Sequence, residues 1–249
     1  LDRGADVSGG SEVPGSAHLG EDLGRLANRD QMGVAAVEAV ADAARGADVW
    51  VDFTTPAATL AALGDLPSAG VRAAVIGTTG FTDAEMADIA DAAKTLAIVK
   101  AGNFSLGVTV LCDLVARAAS ALDTDWDIEI DETHHRHKVD APSGTALMIG
   151  DAAAKGRGGD LSALRQAPYD GRAAKRTPGG IGFSVRRAGG VIGDHEALFG
   201  AEKEVLRLSH TALDRSVFAD GAVKAARWLV GRAPGLYDLR DVLGLNDPC

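Results

Sequence analysis

The 249-residue sequence is poor in cysteine, in aromatic residues and in positive charge. Its two cysteines are Cys112, inside an apolar helical pattern, and Cys249, the last residue. Two such positions form neither a disulfide framework nor a zinc motif, and they suit a reducing cytoplasm. Lysine and arginine number 25 against 35 aspartates and glutamates, for a formal net charge of −10. A nucleic-acid partner is not expected, because phosphate contacts need clustered cations. No run approaches the roughly 20 apolar residues of a membrane span, so no membrane partner is expected, and no secretory leader is recognisable. The chain lacks an initiating Met and opens in mid-pattern at Leu1-Asp2-Arg3-Gly4, from which further residues upstream are expected. No Gly-x-Gly-x-x-Gly stands at a strand–helix junction, where a dinucleotide domain carries its phosphate loop. A cofactor reading then needs that turn to precede Leu1. In that case Asp2 and Arg3 stand about where an acid meets the ribose and an arginine meets the adenine or a 2′-phosphate.

What remains is the composition of a globular protein, 46% hydrophobic and 24% charged. The length suffices for one large domain or two modest ones. Residues 4–33 read as a polar, glycine-rich loop and 34–44 as an Ala-rich helix. Val49 to Phe53 reads as a short strand, and 57–63 as a helix broken by Gly64 and Pro67. Ala73-Ala74-Val75-Ile76 and Leu96-Ala97-Ile98-Val99 are continuous apolar runs, as in strands buried on both faces. Between them Thr82 and Glu85 make a capping box, with Met86, Ile89, Ala90 and Ala93 as the helical stripe. Strand and helix alternate here, which argues for a parallel sheet with crossover helices. Ser105 then caps a long helix with the stripe Leu111, Leu114, Val115, Ala118 and Leu122. Alternation follows at 127–132, at Ile181, Phe183 and Val185, and at Leu206 and Leu208, the pattern of an open mixed or antiparallel sheet. Residues 152–160 read as a small-residue loop and 218–230 as a helix returning to the first domain. Trp50, Trp126 and Trp228 are expected in cores. The expected architecture is α/β: a Rossmann-like parallel-sheet domain lacking its first strand and glycine loop, at 1–104 and 214–249. An α+β domain with a mixed sheet occupies 105–213.

The densest chemistry lies at Glu132-Thr133-His134-His135-Arg136-His137-Lys138, at the end of an expected strand. Its histidines exchange protons near neutral pH, and Lys138 can neutralise a carboxylate or supply a proton. The Pro142 turn follows, and Ser143-Gly144-Thr145 opens an apolar helix whose N–H groups suit an anion. A proton donor, a cation and an anion nest within one segment suit a carboxylate substrate that is protonated as it is reduced. Metal binding by His134, His135 and His137 is not expected, because adjacent strand residues face opposite ways and the spacing is poor. A solvated basic loop is the bland alternative, and Ser143 can be a helix cap as well. Gly77-Thr78-Thr79-Gly80 and Ala101-Gly102-Asn103-Phe104, each after a buried strand, form one rim of a possible cofactor cleft. His195 and His210 read as structural hydrogen-bond partners, and His18 lies in a loop.

The run from Glu132 through Ala146, with its His-His-x-x-Lys and Ser-Gly-Thr core, closely resembles the signature of the dihydrodipicolinate reductases. The resemblance extends to Val51-Asp52-Phe53-Thr54, Gly77-Thr78-Thr79-Gly80-Phe81, Asn103-Phe104-Ser105, Ile181-Gly182-Phe183 and Phe218-Ala219-Asp220-Gly221-Ala222, and so covers nearly the whole chain in order. It implies NADH- or NADPH-dependent reduction of a cyclic dicarboxylate imine, with loss of water, on the diaminopimelate route to lysine. It implies His134 as general acid or base and Lys138 as a second proton donor. His135, Lys138, Gly144 and Thr145, with Ser143 beside them, would hold the substrate carboxylates. Gly77, Thr78, Thr79, Ala101, Gly102, Asn103 and Phe104 would line the nicotinamide and ribose. Family members are usually homotetramers built through the substrate-domain sheets. The sequence departs from the family in lacking the N-terminal glycine loop, and Thr55 stands where some members carry a cation. Two other readings remain open: a second kind of two-domain nicotinamide dehydrogenase, and a non-catalytic dicarboxylate-binding protein.

Overall fold

A computed structural model describes residues 4–169 and 175–246. The chain divides into two compact units, Leu1–Phe104 with Ala219–Cys249, and Ser105–Phe218. The first begins with β1 (Gly10–Ser11), α1 (Leu23–Leu26), β2 (Ala36–Val37) and α2 (Val40–Ala43). Here the expectation of one loop followed by one helix fails. The Ala-rich stretch 34–44 splits between a strand paired in parallel with β1 and a single helical turn. Alanine has high helix propensity, but a parallel pairing partner outweighs it. Next come β3 (Trp50–Asp52), α3 (Pro56–Ala69), β4 (Ala73–Ile76), α4 (Asp83–Ala92) and β5 (Ala97–Lys100).

Helix α3 runs through both expected breakers. Thr55 caps it by accepting from Ala58 N–H, and Pro56 sits at its first position. The buried face Thr59, Ala62, Leu63 and Leu66 continues past Gly64; Pro67 falls within the last turn, where it forgoes the N–H bond to the Leu63 carbonyl but leaves only two helical residues beyond it. Helix α4 starts on the expected capping box. Ile89 and Ala93 are buried and Met86 packs beside them, but Ala90 faces solvent.

The second unit opens with α5 (Leu106–Ala121), capped by Ser105, whose side chain accepts from Val108 N–H. Its buried stripe holds Val108, Leu111, Val115 and Ala119, whereas Leu114 is exposed. Strand β6 (Asp127–His134) alternates strictly between partly and fully buried residues. It is followed by α6 (Gly144–Gly156), α7 (Leu161–Leu164), β7 (Ile181–Arg187), β8 (Gly193–Gly200) and β9 (Val205–Ala212). The expected loop at 152–160 is largely the end of α6, because Ala153 and Ala154 are fully buried. Small residues there allow helices to approach closely: a Cβ on Gly156 would stand 2.3 Å from the Ala116 carbonyl of α5. The chain closes with α8 (Ser216–Leu229), β10 (Gly235–Tyr237) and α9 (Leu239–Leu243). Val230, expected on the apolar face of α8, is exposed, and the three tryptophans are only partly buried.

The sheets match the expected class. The first unit carries an all-parallel sheet in the order β10-β5-β4-β3, and the second a mixed sheet in the order β7-β6-β8-β9. In the latter, β6 runs parallel to β7 and antiparallel to β8. Crossover helices cover parallel strands, which explains the fully buried runs of β4 and β5. Helices α5 and α6 pack on the mixed sheet around Ile128, Ile130, Ile181 and Phe199. No helix among the described residues is long and apolar enough to cross a membrane.

Candidate active site

The alternation of β6 sends Ile128, Ile130, Glu132 and His134 to one face. The first two enter the core, and the last two end the strand as buried polar groups. Glu132 has no exposed side-chain surface, and its Oε2 lies 2.6 Å from His134 Nδ1. The two atoms are within hydrogen-bonding distance, although not in the alignment of a straight hydrogen bond. Glu132 Oε1 accepts from the Ser143 N–H at 2.9 Å and from Arg187 Nη2 at 3.2 Å. Ser143 Oγ caps α6 by accepting from Ala146 N–H, and lies 3.2 Å from His195 Nε2. The His195 and His134 rings meet edge to face, 5.0 Å apart.

The electrostatics follow from this packing. Burial pushes the Glu132 carboxyl up, but Ser143, His134 and Arg187 together hold it below its ordinary value. His134 is lowered, first by burial and then by Lys138 and Arg187, with Glu132 pulling the other way. His195 is pushed down to about 4, chiefly by burial and then by His134. Glu132, His134 and His195 are the donor types of a metal site and lie within 4.8 Å of one another. The Arg187 guanidinium on Glu132 and the Lys138 charge beside His134 instead suit this corner to an anion.

The turn after β6 carries the remaining expected residues. Lys138 is partly buried and pairs with Asp140 at 2.8 Å, and its ammonium holds the Asp140 carboxyl low. His135 Nε2 lies 3.3 Å from Arg215 Nη2, which adds another cation to this edge. Gly144 and Thr145 form the first turn of α6; Gly144 is exposed, and a Cβ there would meet nothing within 4 Å. Peptide N–H groups at such an open helix start suit a carboxylate. Thus His134, His135, Lys138, Ser143, Gly144 and Thr145 all belong to one end of the mixed-sheet unit. Ser143 is buried and already engaged through both its N–H and its Oγ. Sequence reasoning did not foresee Arg187 and assigned His195 to scaffolding alone. Strand positions facing the β6 histidine in the sheet are invisible until the pairing is known.

The other expected residues lie in the parallel-sheet unit. Asp52, Ile76 and Lys100 are in register at the carboxyl ends of β3, β4 and β5. The loops that follow therefore leave the sheet side by side, the place where open parallel sheets bind ligands. Gly77 and Ala101 continue the ladder by one bond each, to the Asp52 and Ile76 carbonyls. Gly77 lies under the Phe53 ring: a Cβ would stand 2.1 Å from it, so a larger residue there would push that ring aside. Thr78 and Phe104 are buried; Thr79 and Gly102 are exposed, and Asn103 is intermediate. Asp52 Oδ1 gathers the Thr54 N–H and the hydroxyls of Thr54, Thr59 and Thr78. The result is a rim of small, uncharged groups at the carboxyl ends of the strands. Asp2 and Arg3 lie outside the described residues.

A parallel α/β sheet with such a rim, joined in one chain to a mixed sheet ending in a buried Glu–His cluster beside basic residues, is the plan of two-domain nicotinamide-dependent oxidoreductases. The family model for the N-terminus of dihydrodipicolinate reductase matches residues 2–104, and that for the C-terminus matches residues 107–243. A 4-hydroxy-tetrahydrodipicolinate reductase of Parvibaculum lavamentivorans is 50% identical over 98% of this chain and 90% of its own length. Its counterpart in Caulobacter vibrioides is 51% identical over 80% and 78%. A dipicolinate-bound dihydrodipicolinate reductase from Paenisporosarcina sp. TG-14 superposes with a TM-score of 0.70 at 25% identity, over 92% of this chain and 86% of that one. The chain belongs to the dihydrodipicolinate reductase family and is an oxidoreductase.

Proposed function

We propose that the chain reduces 4-hydroxy-tetrahydrodipicolinate to tetrahydrodipicolinate, with loss of water, on the diaminopimelate route to lysine. The observation that carries this reading is the buried proton-exchanging His134 beside Lys138 and the open start of α6, in a chain of this family. NADH or NADPH supplies the hydride. Gly77, Thr78, Thr79, Ala101, Gly102, Asn103 and Phe104 hold its nicotinamide and ribose, with Thr78 and Phe104 acting through their peptide groups. Asp2 takes the adenosine ribose and Arg3 meets the adenine or a 2′-phosphate, the roles of an acid and an adjacent arginine about 20 residues after the glycine loop.

The substrate carboxylates bind at His135, Lys138 and the N–H groups of Gly144 and Thr145 through charge-assisted bonds. Ser143 shapes this nest by capping the helix. Hydride addition leaves negative charge on the ring, which a proton neutralises; His134 donates that proton and Lys138 is the second donor. Such transfer is typically worth about 10²–10⁴-fold in rate. The parallel-sheet unit, 1–104 with 214–249, binds dinucleotide; 105–213 binds substrate and assembles a homotetramer through its sheet. The enzyme works in the cytoplasm, a reading supported by a sequence whose two cysteines make no disulfide framework.

The direct test is an assay with the product of dihydrodipicolinate synthase and either cofactor. Oxidation of NADH or NADPH is expected, with turnover lost in His134→Gln while substrate still binds. A folded chain that oxidises neither cofactor in the presence of that product would sink the proposal.

A further inference from the structure

We infer that Glu132 is the positioning residue for His134, setting which ring nitrogen carries the resting proton and which is left to exchange it. The inference rests on the reading of His134 as proton donor. Glu132 precedes His134 by two residues on one strand, so both side chains project to the same face. Its Oε1 is held from two other elements, by the Ser143 N–H at the start of α6 and by Arg187 at the end of β7. The carboxylate is thereby clamped in one orientation.

Its Oε2 is left over. Among the described residues neither Glu132 Oε2 nor His134 Nδ1 has another hydrogen-bond partner, and the two are 2.6 Å apart. His195 Nε2 is too distant at 4.0 Å. Buried polar atoms are rarely left without partners, so these two serve each other. A carboxylate kept only to anchor Arg187 and α6 would need Oε1 alone. An acceptor at Nδ1 selects the tautomer protonated there and leaves Nε2 as the exchanging nitrogen. On that side β8 presents Gly193, where a Cβ would come within 3.2 Å of Nε2, so the strand spares this nitrogen a side chain.

The charged or titratable groups facing His134 are Glu132 on its own strand, Lys138 from the following turn, Arg187 from β7 and His195 from β8. Of these only Glu132 favours the imidazolium. Removing its charge therefore moves the His134 titration to lower pH.

The test uses the full chain. Glu132→Gln is expected to lower kcat on the order of 10–100-fold, as when carboxylates that orient metal-binding histidines are removed, with little change in KM for the dicarboxylate. Its alkaline limb of kcat against pH shifts to lower pH, and Glu132→Asp restores part of the rate. In 15N spectra of imidazole-labelled wild type, neutral His134 carries its proton on Nδ1. Unchanged kcat and pH limb in Glu132→Gln, or a wild-type His134 protonated on Nε2, overturns the inference. If Glu132→Gln does not fold, the wild-type spectrum decides alone. A fully active His134→Gln would remove the catalytic reading beneath the inference, whereas the tautomer is checked separately by the spectrum.

Discussion

At the scale of single residues, the candidate site is a corner where positive charge is partly spent before any substrate arrives. Lys138 is tied to Asp140 and Arg187 to Glu132, so a dicarboxylate must compete for the first pair but need not disturb the second. His195 illustrates how burial sets a residue's state. Its folded pKa of about 4 lies below the ordinary value of 6.5. The unfolded chain binds the extra proton between those values, so stability rises with pH across this window. The contribution is complete above about pH 6.5 and is lost as pH falls toward 4, by about 3 kcal/mol in order of magnitude. His134 and His210, both lowered mainly by burial, act in the same direction. Urea unfolding between pH 7 and 4 should show this slope, and His195→Gln should flatten it. Asp2 carries the cofactor prediction. An acid there accepts from ribose hydroxyls and repels a 2′-phosphate, so Asp2→Ala should raise the KM for NADH several-fold while leaving that for NADPH little changed or lowered.

At the scale of elements, close backbone approaches and buried polar clusters fix the loops that carry function. Helix α8 lies against the chain leaving β5: a Cβ on Gly221 would stand 1.8 Å from the Phe104 carbonyl oxygen. Gly221→Ala must therefore displace α8 or that segment, with an expected cost of at least about 1–3 kcal/mol in urea unfolding. Asp52 ties the loop after β3 to α3 and to Thr78 after β4. Asp52→Ala strands these hydroxyls, two of them on buried residues. It should cost about 1–3 kcal/mol and weaken nucleotide binding measured by fluorescence titration.

Much at this scale was legible. The caps at Thr82, Ser105 and Ser143 are local hydrogen bonds between residue types three apart, and they start α4, α5 and α6 as expected. The misreadings share one cause. Residues 34–44, Pro67 and 152–160 were judged on propensity, and each was decided by burial against a distant partner. Leu114 shows the converse: it is apolar and in helical phase, yet the packed stripe of α5 passes through Val108, Leu111, Val115 and Ala119.

At the scale of the whole molecule, the mixed sheet has one face under α5 and α6, and on the opposite face Val205 of β9 is exposed. Assembly through this sheet is the expected fate of such a residue. Sedimentation equilibrium should return the mass of four chains, and Val205→Lys should lower it; a monomer at micromolar concentration would remove the tetramer proposal.

The sequence by itself determined the α/β class, the two kinds of sheet and the run from Glu132 to Ala146, because periodicity, caps and a dense motif are local properties of the chain. Only the tertiary structure decided how that run is completed. Ser143 meets Glu132 across 11 residues, His195 meets Ser143 across 52, and Arg187 meets Glu132 across 55. These meetings follow from the strand order β7-β6-β8, which places Arg187 and His195 on either side of the β6 end. Pairing of strands distant in sequence is set by the burial of the entire sheet, and no single segment encodes it.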